Sequence, residues 1–81
     1  MIVQVRLFAV AREIAEREAV DVVVDDHATA GDISRALMDQ VPALERVVRH
    51  SILAVDGNLA PDEMIVPPTA EVALIPPVSG G

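Results

Sequence analysis

Cysteine and lysine are both missing from these 81 residues, as are tryptophan and tyrosine, and Phe8 is the one aromatic side chain. Without cysteine there is no disulfide, no thiolate zinc site, no iron–sulfur cluster and no thiol nucleophile. Without lysine, no side chain can accept an isopeptide-linked modifier. With one aromatic, the core has to be assembled from Val, Ile, Leu, Ala and Met. Long apolar runs are missing too. No stretch approaches the roughly 20 apolar residues of a membrane span. Gln4 and Arg6 interrupt the N-terminal run that a signal peptide would need. A soluble, cytoplasmic protein is the expectation.

What the chain does contain is apolar and acidic. The apolar share is 52%, enough for one small core. At this length folding buries only about 60–65% of the surface of the unfolded chain. Thirteen acids stand against six bases, every base is an arginine, and the net charge is −7. Such a surface is repelled by the phosphates of nucleic acid and by anionic membranes. It fits either a partner with a basic docking surface or plain solubility.

The elements follow from periodicity. Residues 2–8 alternate, with Val3, Val5 and Leu7 on one side and Gln4 and Arg6 on the other, which predicts a strand with one buried face. Residues 10–17 are good helix formers and set Ile14 one turn after Val10, a short helix. Residues 19–24 return as a β-branched strand. Thr29 with Asp32 three residues on predicts a helix N-terminus. Ile33, Ala36, Leu37 and Val41 give that helix one apolar face, and Pro42 stops it near Gln40 or Val41. Residues 44–48 are ambiguous, with a single helical turn as one reading. Residues 51–55 read as a strand closed by an Asp56–Gly57 turn. Pro61, Pro67 and Pro68 make the following stretch irregular, and residues 71–75 form the last strand, ended by Pro76–Pro77. The expectation is an α+β domain over residues 1–75, one main helix packed on a small mixed sheet. Residues 76–81 form a tail reaching about 20 Å when extended.

Side-chain chemistry points nowhere else. His27 and His50 lack further ligands at matched spacing and read as surface histidines. No glycine-rich phosphate loop is present. Ser34, Ser51 and Ser79 lack a paired histidine and acid. Thirteen carboxylates make chance pairs inevitable, and Met38 and Met64 read as core filler. The end of the chain is different. Its α-carboxylate becomes an electrophile once adenylated, and a sulfur or nitrogen nucleophile can then attack the mixed anhydride. Gly80 and Gly81 have no Cβ, so such a tail can thread a narrow channel and leave its carbonyl open to approach. Pro76 and Pro77 stiffen its base.

The opening LFAVARE (7–13) and the closing EVALIPPVSGG (71–81) resemble the MoaD family, the small subunit of molybdopterin synthase. The resemblance covers nearly the whole chain. It implies the ubiquitin-like β-grasp fold and a sulfur carrier. An adenylating enzyme of the MoeB type would use ATP to activate Gly81, sulfur would be installed as a thiocarboxylate, and the large subunit, MoaE, would accept the tail. The sulfur would then build the dithiolene of molybdopterin on cyclic pyranopterin monophosphate, within a heterotetramer. The carrier itself would bind no cofactor and no metal. It would be a donor subunit rather than an independent catalyst.

By position, Gly81 would carry the reacting carbon and Gly80 the clearance, while Ser79, Val78, Pro77 and Pro76 would line the partner's channel. Phe8, Leu59 and Ile75 are assigned to an apolar docking patch, with ordinary core as the other reading. Arg12 faces either a partner or solvent. Pro67–Pro68–Thr69–Ala70 stands where the family often has a Gly–Asp turn, so that loop differs. The missing lysines argue against a polymerising ubiquitin-like role. Two alternatives stay open: a carrier for thiamine thiazole, cysteine or another sulfur pathway, and a β-grasp interaction module with an inert tail.

Overall fold

The computed structural model describes residues 1–76. The expected alternation holds in strand β1 (Ile2–Arg6). Val3 and Val5 are buried, Ile2, Gln4 and Arg6 are exposed, and Leu7 continues the buried side. A short helix, α1 (Ala9–Ala15), leads to β2 (Ala19–Val23), which pairs antiparallel with β1. Helix α2 (Ala30–Gln40) follows, then a 3-10 turn (Pro42–Leu44) running into α3 (Glu45–Arg49). Strands β3 (Ile52–Val55), β4 (Asn58–Ala60) and β5 (Val72–Ile75) complete a five-stranded mixed sheet ordered β2-β1-β5-β3-β4. The last strand is therefore the central one, parallel to β1 and antiparallel to β3.

The core lies between the helices and one face of this sheet. Ile33 and Leu37 of α2 are fully buried, as are Val5, Val22 and Leu44. Every buried side chain among the described residues is aliphatic. Met38 and Met64 pack at the core's edge, as expected of filler. No helix among the described residues is long and apolar enough to cross a membrane.

The start of α2 shows how sequence sets geometry. The Asp32 backbone N–H donates to Thr29 Oγ1 at 3.1 Å, and the Thr29 N–H donates to Asp32 Oδ2 at 3.0 Å, a reciprocal cap. The next two N–H groups are satisfied from outside the helix, Ala30 by the Met64 carbonyl and Gly31 by the Asp62 carbonyl, at 2.8 and 2.9 Å. A Cβ on Gly31 would lie 3.2 Å from that Asp62 oxygen, so glycine allows the loop to sit this close. The Thr29 backbone N–H and then the Thr29 hydroxyl hold the Asp32 carboxyl below its ordinary 3.8, against an opposing effect of desolvation, with Arg35 adding a smaller pull in the same direction as Thr29. A depressed folded-state pKa contributes stability that is present above the unfolded value and lost as pH falls through the folded one. Asp32→Asn is accordingly expected to melt below wild type at neutral pH, with the gap closing as pH drops below 3.8. Thermal unfolding of both proteins across that range checks it, and a constant gap would refute the assignment.

The short helix expected over residues 10–17 is present as α1; Val10 and Ile14 are 44% and 39% exposed on it, and the helix is anchored by Ala11, which is fully buried. It is a seven-residue helix packed on the 3-10 turn at Pro42–Leu44. Strand β4 stands in the stretch read as irregular. Asp56 and Gly57 both take positive φ, 51° and 83°, a primed hairpin turn that returns the chain along β3.

Candidate functional site: the open face of the sheet

The sheet face away from the helices carries a continuous row. Register places Ala19, Arg6, Ala73, Ala54 and Leu59 side by side across all five strands. In the next row Ile75 lies opposite Ile52. Extending the parallel pairing of Arg6 with Ala73 by two residues brings Phe8 alongside Ile75, and both line one groove with Arg6, Ala54 and Ala73. The three residues assigned to a docking patch thus share this face. Phe8 is 40% and Leu59 63% exposed, and Ile75 is half-buried. None of the three sits in the core cluster.

The backbone makes this face what it is. Phe8 is the residue before α1 and has an extended conformation, while Ala9 after it takes φ 50°. That left-handed step costs a non-glycine residue about 1–2 kcal/mol, and it swings the chain off β1 into α1. The small side chains at Ala73 and Ala54 form a low floor between Arg6 and Leu59, and Ala19 lies on the other side of Arg6. Pro76 is half-buried at the exit of central strand β5. Pro77, Val78, Ser79, Gly80 and Gly81 lie outside the described residues.

Sequence reasoning missed Ile52, 40% exposed, and the row of alanines. The signal was there in ILAV and VALI. A strand apolar at every position has two faces to cover, and the helices supply cover for one. Arg6 was read only as the polar side of a strand. Arg12 is exposed on α1, and His27 and His50 are exposed as expected, with His50 Nδ1 2.8 Å from the Arg46 carbonyl oxygen.

The family model described as "ThiS family" matches residues 5–81. The chain is 33% identical over 79 residues to the molybdopterin synthase sulfur carrier subunit of Arabidopsis thaliana, covering 98% of this chain and 82% of that one. Among solved structures, SAMP1 of Haloferax volcanii, a small archaeal modifier protein, aligns over all of both chains with a TM-score of 0.86 and 37% identity. A chain from the complex of subunits 1 and 2 of the molybdopterin-converting factor of Helicobacter pylori aligns over all of both chains with a TM-score of 0.68 at 22% identity, which bears on the fold alone. The fold is the ubiquitin-like β-grasp of these proteins.

Proposed function

This chain belongs to the ThiS family of ubiquitin-like sulfur carriers, and we propose from that premise that it is the sulfur-donating small subunit of a molybdopterin synthase. The observation that carries the reading is the identity with the Arabidopsis carrier across 98% of this chain. In this reading a Gly81 carboxylate oxygen attacks the α-phosphorus of ATP in a MoeB-type enzyme, and pyrophosphate leaves. A sulfur nucleophile displaces AMP from the acyl-adenylate, leaving a thiocarboxylate. The ATP belongs to the partner's site, and the carrier holds no cofactor of its own. Gly80 keeps the approach to the carbonyl clear. Pro76, Pro77, Val78 and Ser79 lie in the channel of the large subunit, where the sulfur passes to cyclic pyranopterin monophosphate and the carboxylate is regenerated. Phe8, Leu59 and Ile75, with Ile52, dock on the partner, and two carriers flank a large-subunit dimer in the cytoplasm.

A second reading has its own observation, the 37% identity with the Haloferax modifier over both whole chains. If the acyl-adenylate meets a nitrogen nucleophile, the product is an amide to another protein. One experiment separates the two. The protein is incubated with ATP, a sulfur donor and its adenylating enzyme, then treated with iodoacetamide, and its intact mass is measured. The carrier reading expects an alkylated terminus, placed at Gly81 by fragment ions. With no cysteine present, no thiol competes for the reagent. Mass without alkylation would mislead, because exchanging oxygen for sulfur adds about 16 Da, as methionine oxidation does. No adduct, with a known carrier charged in parallel, would refute this reading. Higher-mass conjugates in a cell extract without a thiocarboxylate would favour the modifier.

A further inference from the structure

Arg6 holds a singular place on the open face. Its neighbours in the row on both sides are alanines, Ala19 on β2 and Ala73 on β5, so nothing in register covers its side chain. Its guanidinium carbon lies 6.0 Å from the centroid of the Phe8 ring, at the outer reach of a cation–π contact. Glu71 lines the same groove, and Asp21 stands on the neighbouring strand opposite Gln4. Arg6 pairs with neither. The ion pairs among the described residues are Met1 with Asp26, Asp32 with Arg35, and Glu45 with Arg49. Arg6 is the one arginine on a strand, set where the apolar row of the open face meets the polar row of Asp21, Gln4 and Glu71, and an unpaired cation at that boundary calls for a physical reason.

We infer that Arg6 is the orienting contact of this face: the partner lays apolar side chains over Phe8, Ile52, Leu59 and Ile75 and sets one carboxylate of its own on the Arg6 guanidinium. The inference rests on the docking reading above and adds the partner's chemistry to it. A net charge of −7 draws a basic surface from a distance but does not fix its rotation on the sheet. Arg6 sets one positive charge at the inner edge of the acidic row of Asp21 and Glu71, beside the apolar side chains. A partner basic throughout is repelled at that point, and one apolar throughout buries the guanidinium unpaired, which is costly. The surface that fits has a basic rim around an apolar patch bearing one acidic side chain. The planar fork of arginine suits a carboxylate in two-pronged geometry, which a lysine in its place would not.

Three variants of the full-length chain test this: Arg6→Met, Arg6→Lys and Arg6→Glu. The probe is the large-subunit protein of the same organism, with association and dissociation rates measured at low and high salt. Arg6 is exposed, so unfolding temperatures are expected to stay at the wild-type value. Relative to wild type, Arg6→Met should bind about 10-fold more weakly and Arg6→Glu on the order of 100-fold, with Arg6→Lys between wild type and Arg6→Met. Arg6→Met takes the net charge from −7 to −8, so encounter with a basic rim should not slow. Its loss should appear in dissociation, a split that a purely structural role would not produce. Variants that all bind as wild type overturn the inference and leave the docking reading standing. Tighter binding by Arg6→Glu also overturns it, because it shows a surface basic throughout. A wild-type chain that forms no complex overturns the docking reading and this inference together. If Arg6→Glu unfolds, Arg6→Met alone decides.

Discussion

Deleting Gly80 and Gly81 is expected to abolish sulfur transfer and to leave the unfolding temperature within about 1 °C of wild type. The helices, the sheet pairings and the Thr29–Asp32 cap of the described residues are made without Gly80 and Gly81, and surface changes away from such features cost within about 0.5 kcal/mol. The chemistry is another matter. A chain ending at Ser79 is shorter by two residues, or about 7 Å of extended backbone. A displacement of 1 Å at a reacting centre already costs about 100-fold in rate, so a truncated carboxylate is not adenylated in place. Ser79 also carries a Cβ where the nucleophile has to pass. The assay is rescue of molybdoenzyme activity in cells lacking their own carrier, with full-length and trimmed chains expressed at equal level. Rescue by the trimmed chain would leave the tail inert and return the protein to the class of plain interaction modules.

Local rules were enough where one residue type decides the geometry. Thr29 and Asp32 start α2, Pro42 follows its end, and Asp56–Gly57 turns the chain. The inward side of β1 was legible because Val3, Val5 and Leu7 alternate with polar neighbours. The open face was harder. β3 and β5 are apolar on both sides, so alternation carries no contrast there, and only the pairing register shows which residues face out. Strand β4 has three residues and one buried side chain, Ala60, too short to show a period. Yet its turn was visible, and a primed turn implies a returning strand. Helix α1 was legible as a short helix, but its buried contact was not, because it is the small Ala11 and not the larger Val10 or Ile14. Membership of Phe8, Leu59 and Ile75 in one face is a long-range fact. It depends on β5, the last strand in the chain, inserting between β1 and β3.

Leu37→Ala is expected to damage the fold severely, costing roughly 2–5 kcal/mol and lowering the unfolding temperature by about 10 °C or more. Leu37 is fully buried on the sheet-facing side of α2. The core around it has no ring to swing into a gap. Its other members are Val, Leu, Ile and Ala side chains held on strands, helices and turns, and the β-branched ones are stiff at χ1. The void should therefore stay largely open. A domain of this size has only about 4–12 kcal/mol of stability in all, so much of the margin goes. Leu59→Ala removes the same atoms from a site that is 63% exposed, and it should change stability by less than about 0.5 kcal/mol while weakening partner binding. Thermal and urea unfolding of the two variants, set beside their affinity for the large subunit, distinguish a residue that holds the fold from one that displays it. A Leu37→Ala cost below about 1 kcal/mol would mean that α2 can settle onto the sheet to close the gap. Binding by Leu59→Ala at wild-type affinity would exclude the β4 edge from the docking face and confine it to Phe8, Ile52 and Ile75.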